Sequence, residues 1–198
     1  MKTSVPNQFI NQPNNDLLFR KSLNLMMKRL LLLLVFTLFS VGLNAQVNLR
    51  TSGTPRVMEV KAFISALKAS ETNLRQANPA SARLEHLLND LQPAVYVSSG
   101  NVQKEGGDNP TSLYTDAASL NDVATATIDK QGIECVTIRI NSAADLNRSL
   151  DLSVFSGFQN LKYVYIISTV DTTESVITRL VKNNSSQLGV FYKIDKGA

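Results

Sequence analysis

Three short apolar runs, Ile133 to Ile140, Leu161 to Ser168 and Leu188 to Ile194, are separated by two segments of similar length that carry helical spacing. Shifting the sequence by 27 positions lays Val136 on Tyr163, Tyr163 on Val190, Leu150 on Ile177, Val154 on Val181 and Leu161 on Leu188. Strands alternating with helical segments predict parallel strands joined by crossover helices. Ala94 to Ser98, ending at Gly100, has the same character as Tyr163 to Ser168 and reads as a further strand. The expected fold is therefore α/β (or α+β), with a three- to four-stranded, largely parallel sheet over residues 94–195.

Ahead of it, Thr54-Pro55 reads as a helix start, with Pro at a position where a missing amide proton costs nothing. Val57, Val60, Ile64, Leu67 and Leu74 follow at helical spacing. Asn78-Pro79 repeats the start signal before Leu84, Leu87, Leu88 and Leu91, and Pro93 stops the run. Residues 54–92 are thus expected to form a helical hairpin turning at Gln76 to Asn78. Asn101 to Ser112, with Gly106-Gly107 and Pro110, has turn composition and reads as a loop. Asp116 to Thr127 reads as a weak helix.

Met26-Met27-Lys28-Arg29 opens an apolar run from Leu30 to Phe36 that continues to Leu43, and Ala45 then meets Gln46. A cationic start, a short apolar stretch and a small residue at the junction describe a secretory signal peptide over 26–45, cleaved between Ala45 and Gln46. The run is shorter than the ~20 residues that span a bilayer, so no stable membrane anchor is expected after cleavage. Residues 1–25 are polar and lack amphipathic period, and translation is expected to start at Met26 or Met27. The mature protein is then one domain, 46–198, exported to the periplasm or beyond.

This assignment changes the charge balance. The chain has 20 basic and 16 acidic residues, but Lys2, Arg20, Lys21, Lys28 and Arg29 against Asp16 account for the whole excess. From Gln46 onward basic and acidic side chains are equal in number and form no basic cluster, which argues against a nucleic-acid partner.

Chemistry-bearing residues are sparse. Cys135 is the one cysteine, within a strand pattern, and reads as a small buried hydrophobe. His86 is the one histidine and falls on the polar side of its helix. No nucleophile elbow, phosphate-binding Gly loop, Cys-x-x-Cys or His-Glu-x-x-His occurs. Glu105, Asp108 and Asn109 match no EF-hand spacing. No catalytic, cofactor-binding or metal-binding residues are assigned. Phe158, Leu161, Val164 and Ile166 resemble a leucine-rich repeat, and Ile133, Val136, Ile138 and Asn141 repeat the pattern. The next copy departs from it at Thr169, Phe191 and Lys193, which leaves fewer copies than a solenoid needs.

Strand alternation puts Val136, Ile138 and Ile140 on one face and Thr137 and Arg139 on the other, with Phe191 and Lys193 opposed to Val190, Tyr192 and Ile194. Taking Arg139, Ile166 and Lys193 as one row and Thr137, Val164 and Phe191 as the next gives an apolar strip rimmed by two cations. The strip serves either as a contact surface or as the seat of the N-terminal helices; in the second case the 101–112 segment is left to make contacts. The sequence supports an exported, non-catalytic binding or accessory module of the cell envelope, with a protein or envelope component as partner. The competing reading is a small secreted hydrolase using two carboxylates. A concave pocket with converging acids would favour the hydrolase, and a bare sheet face would favour the module.

Overall fold

The computed structural model of the protein describes residues 56–71 and 78–195. The upstream stretch 1–25, the signal segment 26–45, the Ala45/Gln46 junction and the Thr54-Pro55 start lie outside the described residues, as does most of the joint between the two expected helices.

One seven-stranded sheet organises the domain. In chain order its strands are β1 (Met58–Glu59), β2 (Ala94–Ser98), β3 (Asn101–Glu105), β4 (Ser112–Asp116), β5 (Cys135–Ile140), β7 (Tyr163–Ser168) and β9 (Gly189–Ile194). Two-residue strands β6 (Leu150–Asp151) and β8 (Val181–Lys182) pair with each other outside it. The order across the sheet is β1-β9-β7-β5-β4-β2-β3, and every neighbouring pair is parallel except β2 with β3.

From β2 to β9 the sheet grows in one direction, each new parallel strand beside the last. The connections are helix α3 (Leu120–Thr125), the 3-10 turns Asp145–Asn147 and Leu152–Phe155, and helix α4 (Glu174–Leu180). All pack on one face, where Val95, Leu113, Val136, Ile138, Val164, Ile166 and Val190 join Leu120, Val123, Leu150, Phe155 and Ile177 in one core. After β5, Ser142 and Asp145 close on each other: Asp145 Oδ2 accepts from the Asn141 and Ser142 amides, and Ser142 Oγ accepts from the Asp145 amide. This closure starts a 3-10 turn and not the α-helix expected there.

The step from β1 to β2 runs the other way, past the four strands β9, β7, β5 and β4. A right-handed connection that reverses direction must cross the opposite face. Helices α1 (Val60–Glu71) and α2 (Ala80–Asn89) do so, and with Cys135, Tyr163 and Phe191 they bury Phe63, Leu67, Leu84 and Leu87 in a second core. The Glu59 carboxylate opens α1 by accepting from the Lys61 and Ala62 amides. Helix α2 has Pro79 at its N-cap and no side-chain cap of its own. Glu71 of α1 replaces it, taking the Ser81 amide at 2.8 Å and the Ser81 hydroxyl at 2.5 Å.

Three expectations are corrected. The sheet has seven strands and not three or four, because β1, β3 and β4 were read as helix, loop and unassigned chain. The two helices are not a hairpin set ahead of the sheet, since β1 precedes them and they form a crossover. Finally, the register pairs Val136 with Val164 and Val190, and Thr137 with Tyr165 and Phe191. Val164 and Ile166 therefore lie on the crossover face, fully buried, and Tyr165 and Ile167 occupy the places given to them in the strip. The constant shift of 27 is off by one at β7, because a strand that is apolar on both faces has no alternation to fix its register.

The register has a direct test. Ile166→Ala is expected to cost about 3 kcal/mol of stability, the range for truncating a fully buried aliphatic. Ile167→Ala, at a half-exposed site, is expected to cost less than about 1 kcal/mol. Chemical denaturation of the two variants reads the difference, and equal losses would contradict the register.

Candidate contact face

The face that carries α1 and α2 presents three rows of side chains. The first, at the amino ends of the strands, is Ala94, Ser112, Cys135, Tyr163 and Gly189. It lies beneath the helices. A Cβ at Gly189 would sit 2.5 Å from the Phe63 ring, so the absent side chain lets Phe63 approach the sheet and stack on Phe191 at 4.8 Å between centroids. Such a pair adds about 1 kcal/mol to the burial of its rings.

The second row is Tyr96, Tyr114, Thr137, Tyr165, Phe191 and Met58. Its β9 end is closed: Phe191 is fully buried, and Tyr165 leans on it at 5.2 Å. Its β2 end is open. Tyr96 is 37% exposed and stacks on the half-buried Tyr114, ring planes 14° apart at 5.0 Å. The third row, at the carboxyl ends, is Ser98, Asp116, Arg139, Ile167 and Lys193. Arg139 and Lys193 are exposed and Ile167 half-exposed. Lys193 pairs with Asp195 at 2.5 Å, and Arg139 makes no ion pair among the described residues.

The six residues proposed from sequence are therefore divided by the sheet. Thr137, Arg139, Phe191 and Lys193 share this face, whereas Val164 and Ile166 belong to the other core. The helices occupy the first row and the Phe191 end, and Thr137 is also buried, so one part of the strip is a seat while Arg139 and Lys193 are exposed. Tyr96, Tyr114 and Tyr165 were missed. The Leu113-Tyr114-Thr115 run, rich in strand formers, was the signal that would have placed β4 and aligned its tyrosine with Tyr96.

Burial and local hydrogen bonds set the ionisation of this face. Burial pushes the Tyr165 hydroxyl up to about 12, with Asp195, Glu59 and Cys135 adding to it. Burial, then Tyr96 and Cys135, raise Tyr114, and Arg139 opposes them. Both hydroxyls stay protonated and can donate at neutral pH. For Asp116 partial burial acts upward, but hydrogen bonds from Ser98 and Ser119 outweigh it and hold the carboxyl below its usual range. Asp122, the next acid along, accepts from the Gly100 amide. Both carboxylates are thus engaged in holding the Ser99-Gly100 turn and its neighbours. Among the described residues no three His, Cys, Asp or Glu side chains converge as metal ligands would. None of the described helices is long and apolar enough to cross a membrane.

Cys135 in the first row and Glu134 beside it bear on stability. Cys135 is buried, and its thiol is pushed up to about 12 by burial and by Glu134. Native protein is expected to resist thiol reagents at neutral pH and to label only in denaturant; rapid native labelling would contradict the packing. Glu134 joins Arg83 of α2 at 2.5 Å and Lys162 at 3.0 Å. Partial burial alone would raise its pKa, but those two cations outweigh it and lower it. A depressed folded pKa contributes stability above the ordinary carboxylate range and loses it as pH falls through the lowered value. Glu134→Gln is therefore expected to cost about 1 kcal/mol at neutral pH. The gap from wild type should narrow in acid unfolding as pH falls below the ordinary carboxylate range; a constant gap would show that the pairing carries no charge dependence.

Compared with protein-family models, characterised proteins and solved structures, the chain returns no match.

Proposed function

We propose that the protein is a non-catalytic binding module, exported and cleaved at Ala45/Gln46, that holds a protein or envelope component against the bare part of its sheet face. The observation that carries this reading is the half-uncovered second row. Tyr96 and Tyr114 stand exposed or half-exposed beside Arg139, on the face whose other end is sealed by Phe63 and Phe191. Tyrosine and arginine are the residues that most often dominate contact energy, since each offers a large rigid surface with a polar tip. The tyrosine rings stand against each other, so they present edges and hydroxyls outward. Such a surface suits a protein partner that supplies acceptors for the hydroxyls and a carboxylate for Arg139.

Support for the non-catalytic reading comes from the acids. Asp116, in the third row, has its two oxygens taken by Ser98 and Ser119, and Asp195 is paired with Lys193. Export is supported by the cationic start and apolar run over residues 26–45.

The experiment is capture from the native cell envelope with protein beginning at Gln46, wild type beside Tyr114→Ala/Arg139→Ala. Loss of at least about tenfold in recovered partner is expected, with melting temperature shifted by only a few degrees. Equal capture by both proteins would overturn the assignment of this face. Intact mass of protein from its own host tests export: a chain beginning at Gln46 is expected, and one retaining Leu30 to Leu43 would refute it.

A further inference from the structure

The 101–112 segment, read from sequence as a loop, contains the edge strand β3, and all five of its residues are exposed. It is paired with β2 on one side, and no strand covers its other side among the described residues. The turn into it is tight. Ser99 and Gly100 have φ of 51° and 74°, the two positive values that a two-residue hairpin of the primed type requires. Their amides are fastened from outside, Ser99 to Ser119 Oγ at 2.8 Å and Gly100 to Asp122 Oδ2 at 3.0 Å. The strand is thus rigidly presented, with neither proline nor bulge to blunt it.

A two-residue turn also fixes the phase of the ladder. The residues flanking it, Ser98 and Asn101, form a hydrogen-bonded pair, as do Tyr96 with Gln103 and Ala94 with Glu105. The backbone groups of Val102 and Lys104 therefore point away from the sheet. An antiparallel copy of the same strand can bond both only if Val102 meets Lys104 of the other chain and the reverse. That register is centred on Gln103, and it uses the whole strand with about four backbone hydrogen bonds.

We propose that β3 pairs with β3 of a second copy of this chain in that register, joining two seven-stranded sheets across a two-fold axis at Gln103. Side chains fit it. Asn101 meets Glu105 of the other copy, Gln103 meets Gln103, and no like charges stand opposite each other. Centring one residue later would instead set Lys104 against Lys104. On the crossover face Val102, 42% exposed, lines a shallow groove with Val97, Thr125 and Asp122. The Lys104 stem of the second copy covers Val102, and its ammonium reaches toward Asp122. This complementarity occurs twice per dimer and favours a second copy as the occupant. Because the axis is perpendicular to the sheet, the tyrosine rows of both copies lie on the same side, giving two contact faces in one plane. The dimer itself does not depend on what those faces bind. A five-residue edge offers less than the about 800 Å² per partner of a standard interface, so association is weak and concentration-dependent.

Disulfide trapping tests the register. Residue 103 faces its own copy in a non-hydrogen-bonded pair, with Cα atoms about 4.5 Å apart, and residues 102 and 104 do not face themselves. Under mild oxidation Gln103→Cys is expected to form covalent dimer at least tenfold faster than Val102→Cys or Lys104→Cys. Adding Val102→Pro, which removes an outward amide that the fold does not use, should return the rate to that of the controls while melting temperature changes little. Adding Lys104→Glu should slow trapping several-fold. Equal rates for the three cysteine variants, or fastest trapping at 102 or 104, would overturn the proposal, and that comparison stands even if the proline variant fails to fold.

Discussion

Burial of β7 and its neighbour β5 on both faces is the constraint from which the rest of the architecture follows. Val164 and Ile166 on one side and Tyr163 and Tyr165 on the other are apolar or aromatic, and a parallel strand of this kind must be covered above and below. The one-way series of crossovers from β2 to β9 covers one face only. The other is covered because β1 lies at the far edge, next to β9, so that the chain must return across the whole sheet to begin β2. Helices α1 and α2 are that return. Among the described residues these two helices pack over Cys135, Tyr163 and Phe191, and Tyr96 at the other end stays exposed.

What holds the return crossover in place is local and specific. Phe63 reaches Phe191 through the space left by Gly189, Glu71 caps α2 from the end of α1, and Arg83 meets Glu134 beside the first row. Tyr163 donates its hydroxyl to the Ala80 carbonyl at 3.5 Å, a further tie between β7 and the start of α2. Each links a helix to the sheet or to the other helix near the amino ends of the strands. Among the described residues the carboxyl ends carry no such ties, so the open half of the face is left to Tyr96, Tyr114, Arg139 and Lys193.

Strands β2 and β9 were readable from alternation, β5 and β7 as apolar runs with clear boundaries, and α1, α2 and α4 from helical spacing. The α/β class followed from their alternation. Strand β3 was hidden because Asn101–Glu105 is solvated on both sides and has no apolar alternation to show. Strand β1 was hidden because two residues make no period, and its role depends on β9, more than 130 positions away. Of the candidate face, Thr137, Arg139, Phe191 and Lys193 were placed on one side by strand alternation, although Thr137 and Phe191 are buried there. Val164 and Ile166 were misplaced because Tyr163–Ser168 could sit either way up by pattern alone. Contacts with Gly189 and Phe63 decide the orientation, and these are tertiary.

The claim on which the account turns is that the return crossover covers the amino-terminal rows and leaves the tyrosine end bare. Solvent paramagnetic relaxation, measured with a soluble nitroxide on assigned aromatic ring signals, reads this directly. The account predicts strong broadening of Tyr96, clear broadening of Tyr114 and none of Tyr163 or Phe191. Protection of Tyr96 and Tyr114 equal to that of Tyr163 would contradict it.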